Sequence, residues 1–378
     1  MEHAGFERLH LTSTFHWIDV LALESIQIGE MKLKITIHDK PLREEALNFA
    51  NCEVHNRLII GAVENLFNSA KATKKDVREL LINLICNGTV GAFCELAAYD
   101  WLIQNSFGVK IQTALSVGEV LGKEGSVLDG QVSLLYNHAY FDVKSFGFNG
   151  QMAKRLKERL EELLLGKSVS IEDSWDVSIE EFQRLVEDVK SIAKQLKTKP
   201  ILQFGRMNIR IHERQPVMIS RRIVDPYLLA QENALYPFKY AHKFTRLTPF
   251  FLIFVAHPWF GQLDMNTDFA GIASCFTRSM ARRAFMQFTN DKSSVSKICD
   301  QVAEGLSISE ACSLLSGILF INVWPKGMDD GNNKLSPSWL YLNPRASNPL
   351  SRDQFDLIGA SGMSQVTIDD FQFDNYPI

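Results

Sequence analysis

Apolar and polar residues alternate over residues 125–146, GSVLDGQVSLLYNHAYFDVKSF, and this pattern predicts two β-strands joined by a short turn. Because successive side chains of a strand point to opposite faces, counting in steps of two sorts the residues. One face of the first strand is apolar, and the other carries Asp129. On the second strand, Asp142 and Lys144 share one face and Phe141 lies on the other. The segment therefore predicts a hairpin with an apolar face and a charged face.

The predicted turn consists of Asn137 and His138, and this choice sets the register of the hairpin. The expected opposite pairs are Tyr136 with Ala139, Ser133 with Asp142, and Gln131 with Lys144. Asp129 would then lie diagonal to Lys144 on the charged face, roughly 7–8 Å away. A turn one residue longer or shorter would exchange the faces, so the prediction depends on the length of the turn.

Two aspartates and a lysine on half-buried strands are unfavourable unless a binding partner offsets their desolvation. Carboxylate oxygens are suitable ligands for Mg²⁺, which also binds substrate phosphate. A lysine beside the cation can orient the attacking water and neutralise phosphate charge. This combination indicates metal-dependent hydrolysis of a phosphodiester. The alternative is a surface hairpin that carries a solvated ion pair.

The spacing of Asp129, Asp142 and Lys144 resembles the PD-(D/E)xK phosphodiesterase superfamily, the restriction-endonuclease-like nucleases. Asp129 matches the first acid, Asp142 the second and Lys144 the lysine, while Leu128 replaces the usual proline, a loosely kept position. The resemblance covers about residues 89–165. It implies a mixed central sheet flanked by helices, Mg²⁺ or Mn²⁺ as cofactor, and a nucleic-acid substrate, with DNA favoured over RNA. Family nucleases often work as dimers, so a homodimer is one expectation of the resemblance.

A helix is predicted ahead of the hairpin, over VGAFCELAAYDWLIQN, by its apolar spacing and by Thr89 as a cap. Family members often supply a further acid from such a helix. Glu95, which is flanked by small residues, is the candidate for a third acid and metal ligand. Asp100 is a weaker candidate, and a solvated or capping acid is the alternative for Glu95.

The acid-x-Lys pattern occurs twice more, and neither copy has the same setting. Asp188 and Lys190 lie in a segment with helical spacing, so their side chains are expected to point apart. Glu30 and Lys32 lie in a plausible strand, but no helix and partner strand precede them. Only the Asp142 copy combines a long helix with an acid on a partner strand.

The elements predict an α/β (α+β) fold with a restriction-endonuclease-like core. Residues 1–73 form an N-terminal strand and helical arm, and residues 74–165 the first part of the core. An insertion, residues 166–245, contains a helix and a basic β-hairpin. Residues 246–378 complete the core sheet and end in an irregular wrap. Within them, the continuous apolar run Phe250–Ala256 predicts a central strand that is covered on both faces.

Two basic surfaces are candidates for contact with nucleic acid. The first is the helix predicted after the hairpin, and the second is the hairpin of the insertion. Their basic residues are Lys154, Arg155, Lys157 and Arg159 on the helix, and Arg206, Arg210, Arg214, Arg221 and Arg222 in the second region. The alternatives are a solvated helix face and edge-strand charge that blocks aggregation. His257, after the apolar strand, is interpreted as a structural histidine.

The composition is typical of a globular protein, with 46% hydrophobic and 22% charged residues and a net charge of −4. The protein as a whole is not positively charged, so binding of nucleic acid would need local basic patches or a metal ion. The absence of a signal pattern and of a long apolar run favours a cytoplasmic protein without a membrane segment, with reduced thiols.

GxxxxGK[ST], GxGxxG, GxSxG and HExxH motifs are absent. Two alternatives remain: a catalytically silent nucleic-acid-binding or assembly module of the same fold, and an unrelated α/β enzyme.

Overall fold

The architecture is taken from a computed structural model, whose described residues divide into two compact units. The described residues are 25–28, 31–34, 62, 65–66, 79–80, 83–84, 89–105, 108–134, 137–146, 149–172, 184–205, 207–213, 226–256, 270–322, 338–351, 353, 366–369 and 371. The first unit draws on Met1–Ser145, Pro226–Val255 and Ser274–Ile378, and the second on Phe146–Asp225 and Ala256–Ala273. The expected insertion, residues 166–245, overlaps the second unit.

A seven-stranded mixed sheet forms the centre of the first unit, which confirms the expected class of mixed α and β structure. Its strands are β3 (Gly108–Leu115), β4 (Ser126–Ser133), β5 (His138–Phe146), β9 (Phe250–Ala256), β10 (Gly317–Asn322), β11 (Ser338–Leu342) and β12 (Val366–Asp369). Their spatial order is β12-β11-β10-β9-β5-β4-β3. The β3–β4, β4–β5 and β10–β11 pairs are antiparallel, and the β11–β12 pair is parallel.

Strand β9 is the fourth of the seven strands, and its residues 250–255 are all buried. The prediction of a central strand from the apolar run is therefore confirmed. A strand that is covered on both faces has no polar face, so its sequence does not alternate. Aromatic contacts extend from this strand to its neighbours, with Phe141 and Phe251 5.8 Å apart and Phe254 and Phe320 5.5 Å apart between ring centroids.

Helices flank this sheet. They are α1 (Thr89–Gln104), α4 (Pro226–Glu232), α5 (Ala270–Met286) and α6 (Ile308–Leu314), and a 3₁₀ segment spans Tyr236–Lys243. Helix α1 packs on the β3–β4 side, where the Tyr99 hydroxyl donates to the main-chain oxygen of Asp129 at 2.8 Å. Helix α6 begins with a capping box between Ser307 and Glu310.

The second unit contains a three-stranded antiparallel sheet with two helices packed on it. Its elements are α2 (Asn149–Leu163), β6 (Ser168–Glu172), α3 (Val189–Leu196), β7 (Ile201–Phe204) and β8 (Met207–His212), with strand order β6-β8-β7. The apolar sides of α2 and α3 meet in one core with the sheet, including Leu156, Leu160, Ile192 and Ile209. The predicted basic hairpin is confirmed for β7 and β8.

The prediction of an irregular wrap at the end of residues 246–378 is wrong for two segments. Strand β11 lies in the main sheet, and all five of its residues are buried. Strand β12 then pairs with it in parallel. The run Trp339–Leu342 is apolar but only four residues long. Because turn-forming residues surround it, its sequence pattern is too weak to predict a strand. The C-terminal part of the chain therefore completes the sheet edge.

Much of the N-terminal arm lies outside the described residues. Within it, β1 (Ser25–Ile28) and β2 (Met31–Lys34) form an antiparallel pair, so Lys32 lies in a strand as expected, while Glu30 lies outside the described residues. His257 and the arginines Arg206, Arg214, Arg221 and Arg222 also lie outside the described residues.

Among the residues that the structure describes, no helix has both the length and the apolar character needed to cross a bilayer. The four cysteines described, Cys94, Cys275, Cys299 and Cys312, are free thiols, and three of them are buried.

Candidate functional site

The hairpin of β4 and β5 has the predicted faces but a different register. Ser133 pairs with His138, and Gly130 pairs with Phe141. The partner of Ser133 is thus four residues away from Asp142, the residue predicted to lie opposite it. The turn is centred two residues earlier in the chain than predicted, and the Leu134 N–H donates to the Asn137 main-chain oxygen at 2.8 Å. A shift of four residues is even, so each side chain keeps its face. The predicted pairing of Gln131 with Lys144 is wrong, since Gln131 pairs with Tyr140.

Asp129 lies where β4 separates from both neighbouring strands. The ladder to β5 ends at Gly130, and the Asp129 Oδ2 accepts a hydrogen bond from the backbone N–H of Val143 at 2.6 Å. On the β3 side, Gln112 has a φ of 52°, in the left-handed region, and is missing from the ladder. The Asp129 main-chain oxygen accepts instead from Tyr99. Side chains therefore replace ladder bonds on both sides of Asp129, which fixes its carboxylate beside the β5 residues 142–144.

Asp142 and Lys144 form the closest charged contact of the site. The Lys144 Nζ lies 2.5 Å from the Asp142 Oδ2, with side-chain exposures of 22% and 0%. The Lys144 amine also lies over the ring of Tyr240, 5.2 Å from its centroid. A solvated surface ion pair is therefore excluded, because Asp142 is completely buried.

The charges of this cluster act strongly on one another. Burial would raise the pKa of Asp142, but the ammonium groups of Lys144 and Lys243 outweigh it and hold this pKa below its ordinary value. Burial raises the pKa of Asp129 well above its ordinary value, and the negative charge of Asp142 raises it further. Burial likewise raises the pKa of Glu95 to about 7, with an opposing effect of Lys144. The four predicted residues thus lie within one electrostatic neighbourhood.

Sequence reasoning missed Lys243, the last residue of the 3₁₀ segment. Its Nζ lies 3.7 Å from the Asp142 Oδ1 and donates to the main-chain oxygen of Val127 at 2.5 Å. The sequence places Lys243 in the predicted insertion, residues 166–245, and therefore outside the predicted core. The one local signal of a role is the basic and aromatic character of YPFKYAHK shortly before the central strand.

The donor chemistry of the cluster fits a divalent cation that is held by few protein ligands. Within the described part of the chain, both carboxylate oxygens of Asp142 are buried without a hydrogen bond of good geometry, and they face the amines of Lys144 and Lys243. A cation would also relieve the repulsion that raises the pKa of Asp129. Among the described residues, no group of three or more His, Cys, Asp or Glu side chains is arranged to hold a metal. Mg²⁺ typically takes one or two carboxylates and completes its shell with water and phosphate oxygens, so a pair of aspartates fits its usual number of protein ligands.

The other predicted residues lie in different settings. Asp100 accepts hydrogen bonds from the side-chain amides of Asn65 and Gln104, which accounts for both of its oxygens. Asp188 precedes α3 and Lys190 lies within it, so this acid-x-Lys copy is helical, as predicted. On α2, Lys157 contacts Glu161 one turn later at 3.9 Å, which agrees with a solvated helix face.

Comparison with known proteins gives no relative for this chain. Protein-family profiles, curated proteins and solved structures were searched, and none matches significantly.

Proposed function

We propose that this protein is a metal-dependent nuclease of the PD-(D/E)xK type, which hydrolyses phosphodiester bonds, with DNA favoured as substrate. The observation that carries the proposal is the meeting of Asp129, Asp142 and Lys144 beside Glu95, across the β4–β5 hairpin and helix α1. This hydrolysis needs acids that can bind a metal ion and an amine that can stabilise the charge on the phosphate, and the buried acid pair and Lys144 are suited to these two roles.

Asp129 and Asp142 would hold Mg²⁺ or Mn²⁺, and Glu95 would supply a third acid at the edge of the pair. When bound, the cation would lower the pKa of a water and polarise the scissile phosphate. Lys144 donates from its ammonium to the attacking water or the phosphate oxygen and offsets the charge that develops there. The water oxygen bonds to phosphorus, the bond to the leaving sugar oxygen breaks, and that oxygen takes a proton.

The surroundings of Asp142 and Glu95 suit these two carboxyls to different tasks. Asp142 stays ionised because Lys144 and Lys243 lower its pKa. Glu95, with a pKa of about 7, exchanges a proton near neutrality and suits proton transfer at that pH. Tyr240 restricts the motion of Lys144 by covering its amine.

A second candidate function is a catalytically silent nucleic-acid-binding or assembly module of the same fold. The direct contact between Lys144 and Asp142 favours it, because a cation would have to share or displace this amine. Tight DNA binding without cleavage in Mg²⁺, Mn²⁺, Co²⁺ or Zn²⁺ would select this function.

The test is nicking of supercoiled plasmid DNA in Mg²⁺ and Mn²⁺ by the parent chain and by two double variants. The site variant is Asp142→Asn with Lys144→Met. The matched control is Asp188→Asn with Lys190→Met, since both stretches read Asp-Val-Lys but the second is exposed at helix α3. The proposal predicts loss of nicking in the first variant only. Equal nicking by the parent and both variants would contradict it.

A further inference from the structure

We propose that Lys243 is a second substrate-binding residue, whose ammonium binds a phosphate of the nucleic acid beside the acid cluster. The inference deepens the proposed function and rests on it for the identity of the substrate. It assigns different tasks to the two amines of the site. Lys144 serves the reacting centre, and Lys243 holds the anionic backbone.

Lys243 reaches the acid cluster from a different element than the hairpin. It ends the 3₁₀ segment Tyr236–Lys243, and its amine spans the gap to β4 at Val127. Val127 lies two residues before Asp129, so the amine stands near the acids on the β4 side. Its side chain is 19% exposed, which leaves its end accessible to a ligand.

The hydrogen bonds of Lys243 to other described residues do not use all the N–H donors of its ammonium group. An ammonium group has three N–H donors. Within the described residues, the amine of Lys243 makes one hydrogen bond, to the Val127 oxygen. Its separation of 3.7 Å from the Asp142 Oδ1 is longer than a hydrogen bond. The remaining N–H groups can therefore donate to a ligand without breaking a contact.

Lys144 is more strongly held than Lys243. Its Nζ lies at 2.5 Å from Asp142, and the ring of Tyr240 covers it. A phosphate that approached Lys144 first would compete with a buried carboxylate for its protons. Lys243 carries the same charge, but its amine lies farther from the Asp142 carboxylate than that of Lys144 does. It is therefore the better initial contact for an anion.

The charge balance of the cluster also admits an anion. Lys144 and Lys243 both place an ammonium group beside the buried carboxylate of Asp142. These two positive charges attract phosphate, and a cation at Asp129 and Asp142 would increase this attraction.

A purely structural tether between the 3₁₀ segment and β4 is the competing role for Lys243. A tether affects stability but does not change the number of phosphates that the protein neutralises. Each phosphate contact contributes about 0.9 to the slope of log affinity against log salt on duplex DNA. The salt slope of binding therefore separates the two roles.

The experiment measures binding of a fluorescein-labelled 20-base-pair DNA duplex by anisotropy in Ca²⁺, over a series of NaCl concentrations. The variants of the full chain are Lys243→Gln, which keeps an N–H donor but loses the charge, and Lys243→Arg, which keeps the charge. The control is Lys239→Gln, an exposed lysine of the same segment that lies over Tyr236. Thermal unfolding of each variant is recorded first, and Lys243→Met replaces the glutamine variant if that one does not fold.

Lys243→Gln is expected to weaken binding and to reduce the salt slope by about 0.9. Lys243→Arg should retain the parent slope, and Lys239→Gln should bind as the parent does. In Mg²⁺, the KM of Lys243→Gln should rise by a larger factor than its kcat falls, since a phosphate contact made before the chemical step acts mainly on binding.

The outcomes separate this inference from the proposed function. An unchanged affinity and slope in the folded Lys243→Gln variant would overturn the role of Lys243, even if the parent cleaves DNA. A parent that binds but does not cleave, with the slope reduced in the variant, would overturn the hydrolysis and support Lys243. A parent that neither binds nor cleaves would overturn both.

Discussion

The backbone N–H of Val143 donates a hydrogen bond to the Asp129 Oδ2 at 2.6 Å, at the point where the β4–β5 ladder ends. A carboxylate thus takes the place of a main-chain acceptor. This contact brings Asp129 next to Asp142, and it gives Asp129 a structural task besides the proposed chemical one.

Two substitutions at Asp129 separate these tasks. Asp129→Asn keeps an oxygen that can accept from Val143, so it should fold at least as stably as the parent without metal. Asp129→Ala leaves a buried N–H unsatisfied and should lower the free energy of unfolding by about 1–3 kcal/mol. Urea denaturation in EDTA measures both. Equal stability of the two variants would show that the hydrogen bond does not hold the hairpin.

Gly130 must remain a glycine for the strands to meet beside Asp129. A Cβ at this position would lie 2.5 Å from the Phe141 Cζ and 2.6 Å from the Lys110 main-chain oxygen. Gly130→Ala should therefore lower the free energy of unfolding by about 1–3 kcal/mol. The control is Gly118→Ala, where a Cβ meets nothing within 4 Å and the change should stay within about 0.5 kcal/mol. Thermal unfolding of both variants checks the difference, and equal effects would argue against the close approach.

Asp142 and Lys144 should be energetically coupled in the metal-free protein. Asp142→Asn leaves the two amines facing a neutral amide, and Lys144→Met leaves a buried carboxylate with Lys243 alone. The double variant removes both charges, so it should be more stable than the sum of the single changes predicts, by roughly 1–3 kcal/mol. A double-mutant cycle in urea measures this value. Additive effects would mean that the short contact contributes nothing to stability.

Glu95 should make the stability of the metal-free protein depend on pH. Its pKa is about 7 in the folded chain and near 4.5 when the chain unfolds. The folded state therefore binds a proton that the unfolded state has lost, and stability falls as the pH rises from 4.5 to about 7. Glu95→Gln removes this effect, so its advantage over the parent should grow to on the order of 2–3 kcal/mol at pH 8. Urea denaturation at pH 5 and pH 8 in EDTA measures the change, and a constant difference would contradict it.

Local pattern predicts the faces of the hairpin and the central strand because both depend on neighbouring residues. The period of two separates Asp129, Asp142 and Lys144 from the apolar positions, and the continuous run Phe250–Ala256 has no polar face. The register required the exact position of the turn, which the tight-turn signal of Asn137 and His138 placed two residues too late. An even error preserved the faces, so the acids and the amine still meet.

Long-range contacts could not be predicted from single segments. Lys243 and Val127 are 116 residues apart, and no spacing in the sequence relates them. The replacement of ladder bonds around Asp129 by Tyr99 and Val143 also depends on tertiary packing. Strand β11 was missed because four apolar residues among turn signals are too short a pattern for a secure assignment.

The central claim is that Asp129 and Asp142 together bind a divalent cation. Crystals of the parent chain soaked in MnCl₂ test it most directly, through anomalous scattering recorded near the manganese absorption edge. We expect a peak between the two carboxylates that disappears in Asp142→Asn crystals soaked in the same way. No peak at a saturating Mn²⁺ concentration, with the Lys144 amine still in contact with Asp142, would contradict it.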